Sequence, residues 1–166
     1  MPPPTPTPGL VEVVSVPIGR WAVASAPTLL RTLLGSCAGV VLYDRALKVG
    51  GVAHVVLPDS RGETDHPGKF ADTAIPALIA DLEAKLGRSS RGRLSAKVAG
   101  GASMFQTGAT NNIGRMNQDA VEAILARLNI PVIARDVGGE AGRRLTLDTV
   151  SGIVSIRIPG GADYQI

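Results

Sequence analysis

Cys37 is the only cysteine in the 166-residue chain, and His54 and His66 are its only histidines. Cys37 follows Gly35-Ser36 and leads into Ala38-Gly39-Val40-Val41-Leu42-Tyr43, a run suited to a strand. A thiol at the mouth of a strand, with a glycine just before it, can be presented to a substrate, whereas one in mid-strand is usually packed. His54 comes seventeen residues later. A thiol is mostly protonated at neutral pH, and an adjacent imidazole can hold its thiolate as an ion pair. Such a thiolate attacks a carbonyl, and the imidazolium then protonates the leaving group and later takes a proton from water. The Gly35-Ser36-Cys37 turn would supply backbone N–H donors to a tetrahedral intermediate, because glycine lets the backbone approach closely. Thr32, Asp59 and Asp65 are the residues available to orient the imidazole.

Plainer readings stand beside this one. A free cysteine often behaves as a small buried hydrophobe, and His54, flanked by Ala53 and Val55, suits a core histidine. On that reading the chain is a non-enzymatic adaptor for a receptor or a signalling partner. His66, in Asp65-His66-Pro67-Gly68, reads as a solvated loop residue. A zinc site from Cys37, His54, His66 and a carboxylate lacks the paired Cys or His spacing that marks such sites. Ser36 is not preceded by the Gly-x of a hydrolase elbow and reads as a turn residue.

The elements around these residues follow from hydrophobic period. Residues 10–16, 21–24, 29–34, 37–43 and 48–56 read as strands, with a turn at Pro17-Ile18-Gly19. The short Asp44–Leu47 link makes the last two a hairpin, which places Cys37 and His54 on neighbouring strands. Residues 58–68 form a loop. Phe70 to Leu86 reads as a helix with Ala71, Ile75, Leu78, Ile79, Leu82 and Leu86 inward, kinked or begun at Pro76 and stopped by Gly87. Leu94 to Ala99 is a strand before Gly100-Gly101. A second helix, Ile113 to Leu128, turns Met116, Ala120, Val121, Ile124, Leu125 and Leu128 inward and is capped by Asn111 or Asn112. Residues 131–136, 144–148 and 153–158 read as further strands, the last two a closing hairpin. The result is an α/β (α+β) chain, a strand-rich mixed-sheet sandwich flanked by two main helices. Strands and helices do not alternate one for one, so a doubly wound nucleotide fold is not expected.

Composition sets the bounds. The chain is 45% hydrophobic, which excludes disorder for most of it. Aromatics at 3% argue against nucleic-acid binding by base stacking. The net charge of +3 reads as a solvated basic face over Arg88, Arg91, Arg93, Arg143 and Arg144, or more sharply as a match to an acidic protein partner. One cysteine makes no internal disulfide, no apolar run approaches a membrane span, and the Pro/Thr start at residues 1–9 is not a signal peptide. These point to a cytoplasmic protein with a disordered tail over 1–9 and one domain over 10–166.

Several short motifs, in order, carry a resemblance. Leu34-Gly35-Ser36-Cys37, Tyr43-Asp44, Gly50-Gly51-Val52-Ala53-His54 and Leu57-Pro58 resemble the CheD family of chemoreceptor glutamine deamidases. Gly100-Gly101-Ala102-Ser103-Met104-Phe105, Asn112-Ile113-Gly114, Asp136-Val137-Gly138-Gly139 and Arg143-Arg144 continue it. The resemblance implies a fold similar to deamidating toxin cysteine hydrolases. It implies conversion of selected glutamines of methyl-accepting chemotaxis receptors to glutamate, with release of ammonia and no cofactor. Amidase, transglutaminase-like and methylesterase chemistry would use the same groups, and only the resemblance selects deamidation. It makes Cys37 the nucleophile and His54 the general base, and it implies a CheC-like phosphatase as a partner. The family's third catalytic group is a threonine six residues before the cysteine. Arg31 stands there in this chain, and Thr32 is one residue closer. A one-residue slip along a strand reverses the face of a side chain. Thr32 therefore needs a bulge to take that role, or another group orients His54.

Overall fold

The structure is a computed structural model and describes residues 10–103 and 112–166. The expected tail over 1–9, the Asn111 cap and Met104-Phe105 lie outside the described residues. Strands β4 (Ala38–Asp44) and β5 (Val49–Val55) are buried at every position. A strand reads that way only when both faces of its sheet are covered. One face meets helix α1 (Ala71–Leu86), whose Ile75, Leu78 and Leu82 are fully buried against Val40, Leu42, Ala53 and Val55. Each such side chain contributes roughly 1.5–3 kcal/mol of burial. The opposite face carries Val41, Tyr43 and Val52 against Leu30, Leu34, Leu145, Leu147 and Ile156 of a second sheet.

The described residues thus form three layers. The remaining strands are β1 (Glu12–Ser15), β2 (Trp21–Ser25), β3 (Thr28–Leu34), β6 (Leu94–Gly100), β7 (Val132–Val137), β8 (Arg143–Asp148), β9 (Val154–Arg157) and β10 (Tyr164–Gln165). The outer sheet has the order β1-β3-β8-β9-β10 and the central sheet β2-β5-β4-β6-β7. Both are mixed, because β1 pairs parallel with β3 and β6 with β7. Helix α2 (Ile113–Arg127) joins α1 on the far face of the central sheet. The sandwich with two flanking helices is the expected one. The short β10 was not anticipated.

The β4–β5 hairpin forms as expected, with Asp44 opposite Val49 and the Leu47 N–H donating to Asp44 at 3.0 Å. The turn at Pro17-Ile18-Gly19 is also present, but β1 and β2 it joins lie in different sheets. Helix α1 runs unbroken through Pro76, which is exposed, so the regular part does not start at that residue. Gly87 ends it in the left-handed region, its N–H donating to Glu83.

Helix α2 turns Val121, Ile124 and Leu125 inward as expected, and corrects the expectation at Met116 and Leu128. Its buried residues are Gly114, Asn117, Val121, Ile124 and Leu125, while Met116 is 51% exposed and Leu128 is also exposed. The buried stripe includes a polar residue, Asn117, where apolar spacing alone favoured Met116. Asn112 occupies the N-cap position, but its side chain makes no capping bond.

The basic face needs a second correction. Arg143 is buried, and its guanidinium donates to the carbonyls of Asp136 (2.6 Å), Gly138 and Ala141 (3.2 Å) and to the Asp136 carboxylate (3.2 Å). It stitches the β7–β8 turn rather than meeting solvent. Arg93 pairs with the buried Asp44 at 2.8 Å.

Candidate active site

Side-chain parity places the two reactive groups. Gly39 of β4 pairs with His54 of β5, so Cys37, two residues earlier, shares His54's face and sits diagonal to it rather than directly opposite. That face looks toward the outer sheet. Both residues line one cavity of about 830 Å³, with Thr32, Ser36, Ile18 and Arg144 on its wall. Cys37 is 9% exposed and His54 5%.

Thr32 reaches His54 from the other sheet. Its Oγ1 lies 2.8 Å from His54 Nδ1 and donates to the Val16 carbonyl at 2.8 Å. The hydroxyl carries one proton. With that proton on Val16, the Thr32 oxygen accepts from His54 Nδ1–H, which satisfies all three groups. This allocation leaves His54 Nε2 with its lone pair as the basic nitrogen.

No bulge is needed. The register of β3 runs without a shift from Leu29–Asp148 to Leu34–Arg143, and its other edge pairs regularly with β1. Thr28, Leu30, Thr32 and Leu34 point inward, and Arg31 and Leu33 point out. The expected bulge is therefore absent, and Thr32 stands within hydrogen-bond reach of His54 without one. The residue one step closer to Cys37 is the one on the inner face. Asp59 accepts from the Arg61 N–H and is exposed, and Asp65 is exposed as well. Replacing Thr32 by valine should lower kcat about 10–100-fold, the scale on which a supporting hydrogen bond to a functional imidazole registers. Thr32→Ser should restore most of it, and an unchanged kcat in Thr32→Val would remove the orienting role.

The loop bearing Cys37 is held by its carbonyls. The Gly35 oxygen accepts from Ala102 N–H (3.0 Å) and the Cys37 oxygen from Gly101 N–H (2.9 Å). The Ser36 oxygen accepts from Asn117 Nδ2 at 3.2 Å, and the same nitrogen donates to the Val56 carbonyl at 2.9 Å. Asn117 is fully buried and ties the Cys37 loop to the end of His54's strand. Gly100 explains the glycine pair. Its φ is +95°, and a Cβ there would lie 2.3 Å from the Cys37 carbonyl oxygen. With the carbonyls turned into the protein, the Ser36 and Cys37 N–H groups donate to no acceptor among the described residues. Backbone donors left free beside a nucleophile are the makings of an oxyanion site.

The electrostatics differ from the expected ion pair. Burial raises the Cys37 thiol above its ordinary value, and burial lowers His54 below its own. Both shifts favour the neutral forms, thiol and imidazole. No hydrogen bond joins Cys37 Sγ to a side chain among the described residues. Because the folded pKa of His54 is depressed, its neutral form contributes stability that is present above about pH 6.5. That contribution is lost as pH falls through the folded value. Denaturant midpoints should therefore drop below about pH 6.5 in the wild type and drop less in His54→Gln. Equal losses in both would refute the burial of a neutral imidazole.

His66 stands apart. It is exposed, bonds Glu63 at 3.0 Å and lines a different cavity with Trp21 and Lys69. The zinc set considered from sequence is thus not assembled, and among the described residues no three His, Cys, Asp or Glu side chains gather to hold a metal. Asn117 was missed by sequence reasoning. Its only signal was a polar residue within the buried stripe of α2.

A family profile described as CheD chemotactic sensory transduction matches residues 56–158. The chain belongs to the CheD family. A Methanococcus maripaludis protein named probable chemoreceptor glutamine deamidase CheD is 44% identical over 147 residues, covering 87% of this chain and 94% of its own. The Thermotoga maritima chemoreceptor glutamine deamidase CheD is 44% identical, covering 88% and 92%. A Moorella thermoacetica relative, named as probable, is 47% identical over 157 residues, covering 90% and 92%. The CheD profile begins just past His54. A match over 87% of the chain, however, necessarily takes in the stretch from Thr32 to His54.

Proposed function

We propose that this CheD-family chain is a chemoreceptor glutamine deamidase of chemotaxis adaptation, acting in the cytoplasm through Cys37, His54 and Thr32. The observation that carries the site is the Thr32–His54 hydrogen bond across the two sheets, in one cavity with the lone thiol. The substrate class rests on the names of the relatives. Among the described residues no helix is long and apolar enough to cross a membrane. A CheC-like phosphatase as partner belongs to the same proposal and rests on the sequence resemblance alone.

The chemistry follows from neutral starting groups. Cys37 Sγ attacks the side-chain carbonyl carbon of glutamine while His54 Nε2 takes the thiol proton. The Ser36 and Cys37 N–H groups receive the oxyanion. Collapse breaks the C–N bond as His54 returns the proton to nitrogen, which releases ammonia and leaves a thioester on Cys37. Water then attacks the thioester and gives a proton to His54. The C–S bond breaks, the proton returns to sulfur, and glutamate leaves. Thr32 holds the imidazole in the tautomer this sequence needs, and it stabilises the imidazolium in between.

The test is mass spectrometry of a chemoreceptor cytoplasmic fragment incubated with the wild-type protein. Individual glutamines should gain the mass of an amide-to-acid conversion, with ammonia released in equal amount. A fragment left unchanged under conditions where the protein is folded would refute the activity.

A further inference from the structure

The outer face of the outer sheet is covered by no helix among the described residues, and its side chains point to solvent. Leu33, Arg144 and Arg157 lie in one row across it, Leu33 opposite Arg144 and Arg144 opposite Arg157. Arg31 sits diagonal to Arg144 on the same face. Leu33 is 70% exposed. Like charges directly opposite one another on neighbouring strands are destabilising. Arg157 is offset by Asp163 at 2.8 Å, and among the described residues the Arg31 side chain donates only to the Thr146 hydroxyl. Among the described residues no carboxylate pairs with Arg31 or Arg144.

This row joins two cavities. One is the cavity of Cys37 and His54, and the other, about 430 Å³, lies over Leu34, Arg143, Arg157 and Pro159. Leu33, Gly35 and Arg144 line both. A strip with uncompensated cations and an exposed leucine therefore runs out of the reactive cavity. The isolated protein gains nothing from this arrangement. A bound segment with carboxylates and one apolar side chain would neutralise the arginines and cover Leu33.

We propose that this strip is the docking track for the substrate protein and that it selects glutamines flanked by carboxylate side chains. Arg144 and Arg31 pair with those carboxylates, and Leu33 packs on an apolar side chain beside them. The inference rests on the deamidase reading for the identity of the substrate. The expected partner is an acidic segment of a chemoreceptor cytoplasmic domain.

The experiment measures binding, apart from turnover. Cys37→Ala protein is titrated with a fluorescently labelled chemoreceptor cytoplasmic fragment, followed by anisotropy, with and without Arg144→Glu and Arg144→Glu/Arg31→Glu. Each reversal should raise Kd about tenfold at low salt, and the difference should shrink as salt screens the pairs. A fragment whose flanking carboxylates are replaced by lysine should bind the parent weakly and the Arg144→Glu protein better. Leu33→Ala should weaken both fragments alike. Unchanged Kd on charge reversal, equal losses for the acidic and the lysine fragments, or no measurable binding to the Cys37→Ala parent would each overturn the track. Charge-dependent binding with no glutamine converted by the wild type would refute the deamidase reading and leave the track standing. Conversion without charge dependence would do the reverse.

Discussion

Replacing Cys37 by alanine should abolish ammonia release from chemoreceptor fragments, by roughly 10⁴-fold or more, while leaving a folded protein. The stability cost is small because the change removes one sulfur from the apolar cluster between the sheets, about 1 kcal/mol. The two effects separate the rival functions. If Cys37 is only a packed side chain of an adaptor, the variant loses that small stability and nothing else. If it is the nucleophile, no thioester forms and no glutamine gains the mass of conversion. Full conversion by Cys37→Ala would end the nucleophile assignment. Thiol alkylation does not separate the two readings here. The buried, raised thiol should react slowly at neutral pH, and faster only at a more alkaline pH than an ordinary thiol needs, on either account.

Asn117→Ala should cost on the order of 2–4 kcal/mol and lower kcat at least tenfold. The Ser36 and Val56 carbonyls both lose their donor, and a buried acceptor left bare costs roughly 1–3 kcal/mol. One gain opposes this. Among the described residues Asn117 Oδ1 is itself buried without a hydrogen-bond partner, so truncation removes one orphan while creating two. The sum remains destabilising. The kinetic effect arises because Ser36 and Val56 flank the two reactive residues. Loosening that tie lets the thiol drift from the imidazole, and small misplacements are expensive in rate. Thermal melts with steady-state kinetics check both parts. A variant with wild-type kcat would show that the clamp matters for folding alone.

The hairpin and α1 were legible because their signals are local. The β4–β5 link is short, and apolar spacing with a terminal glycine marks α1. Thr32 shows how counting from the cysteine can mislead. Distance along the chain suggested the wrong face, but the alternation of Leu30, Thr32 and Leu34 within β3 already set it inward. Asn117 was not legible, because its two acceptors lie 81 and 61 residues away in sequence. No local pattern distinguishes an asparagine that clamps a loop from one that meets water. Arg143 failed for a different reason, since its acceptors Asp136, Gly138 and Ala141 are close in sequence. A basic residue next to a basic residue reads as surface until the carbonyls of its own turn close around it.

The burial of Cys37 has a consequence for the life of the protein in a cell that meets peroxide. Oxidants attack the thiolate, and a shielded, protonated sulfur offers little of it. Protection matters more here than in a chain with several cysteines. A sulfenic acid at position 37 would find no second thiol in the molecule to condense with, so no internal disulfide would hold it back from overoxidation to irreversible states. Keeping the thiol buried and neutral thus guards the only cysteine the chain has.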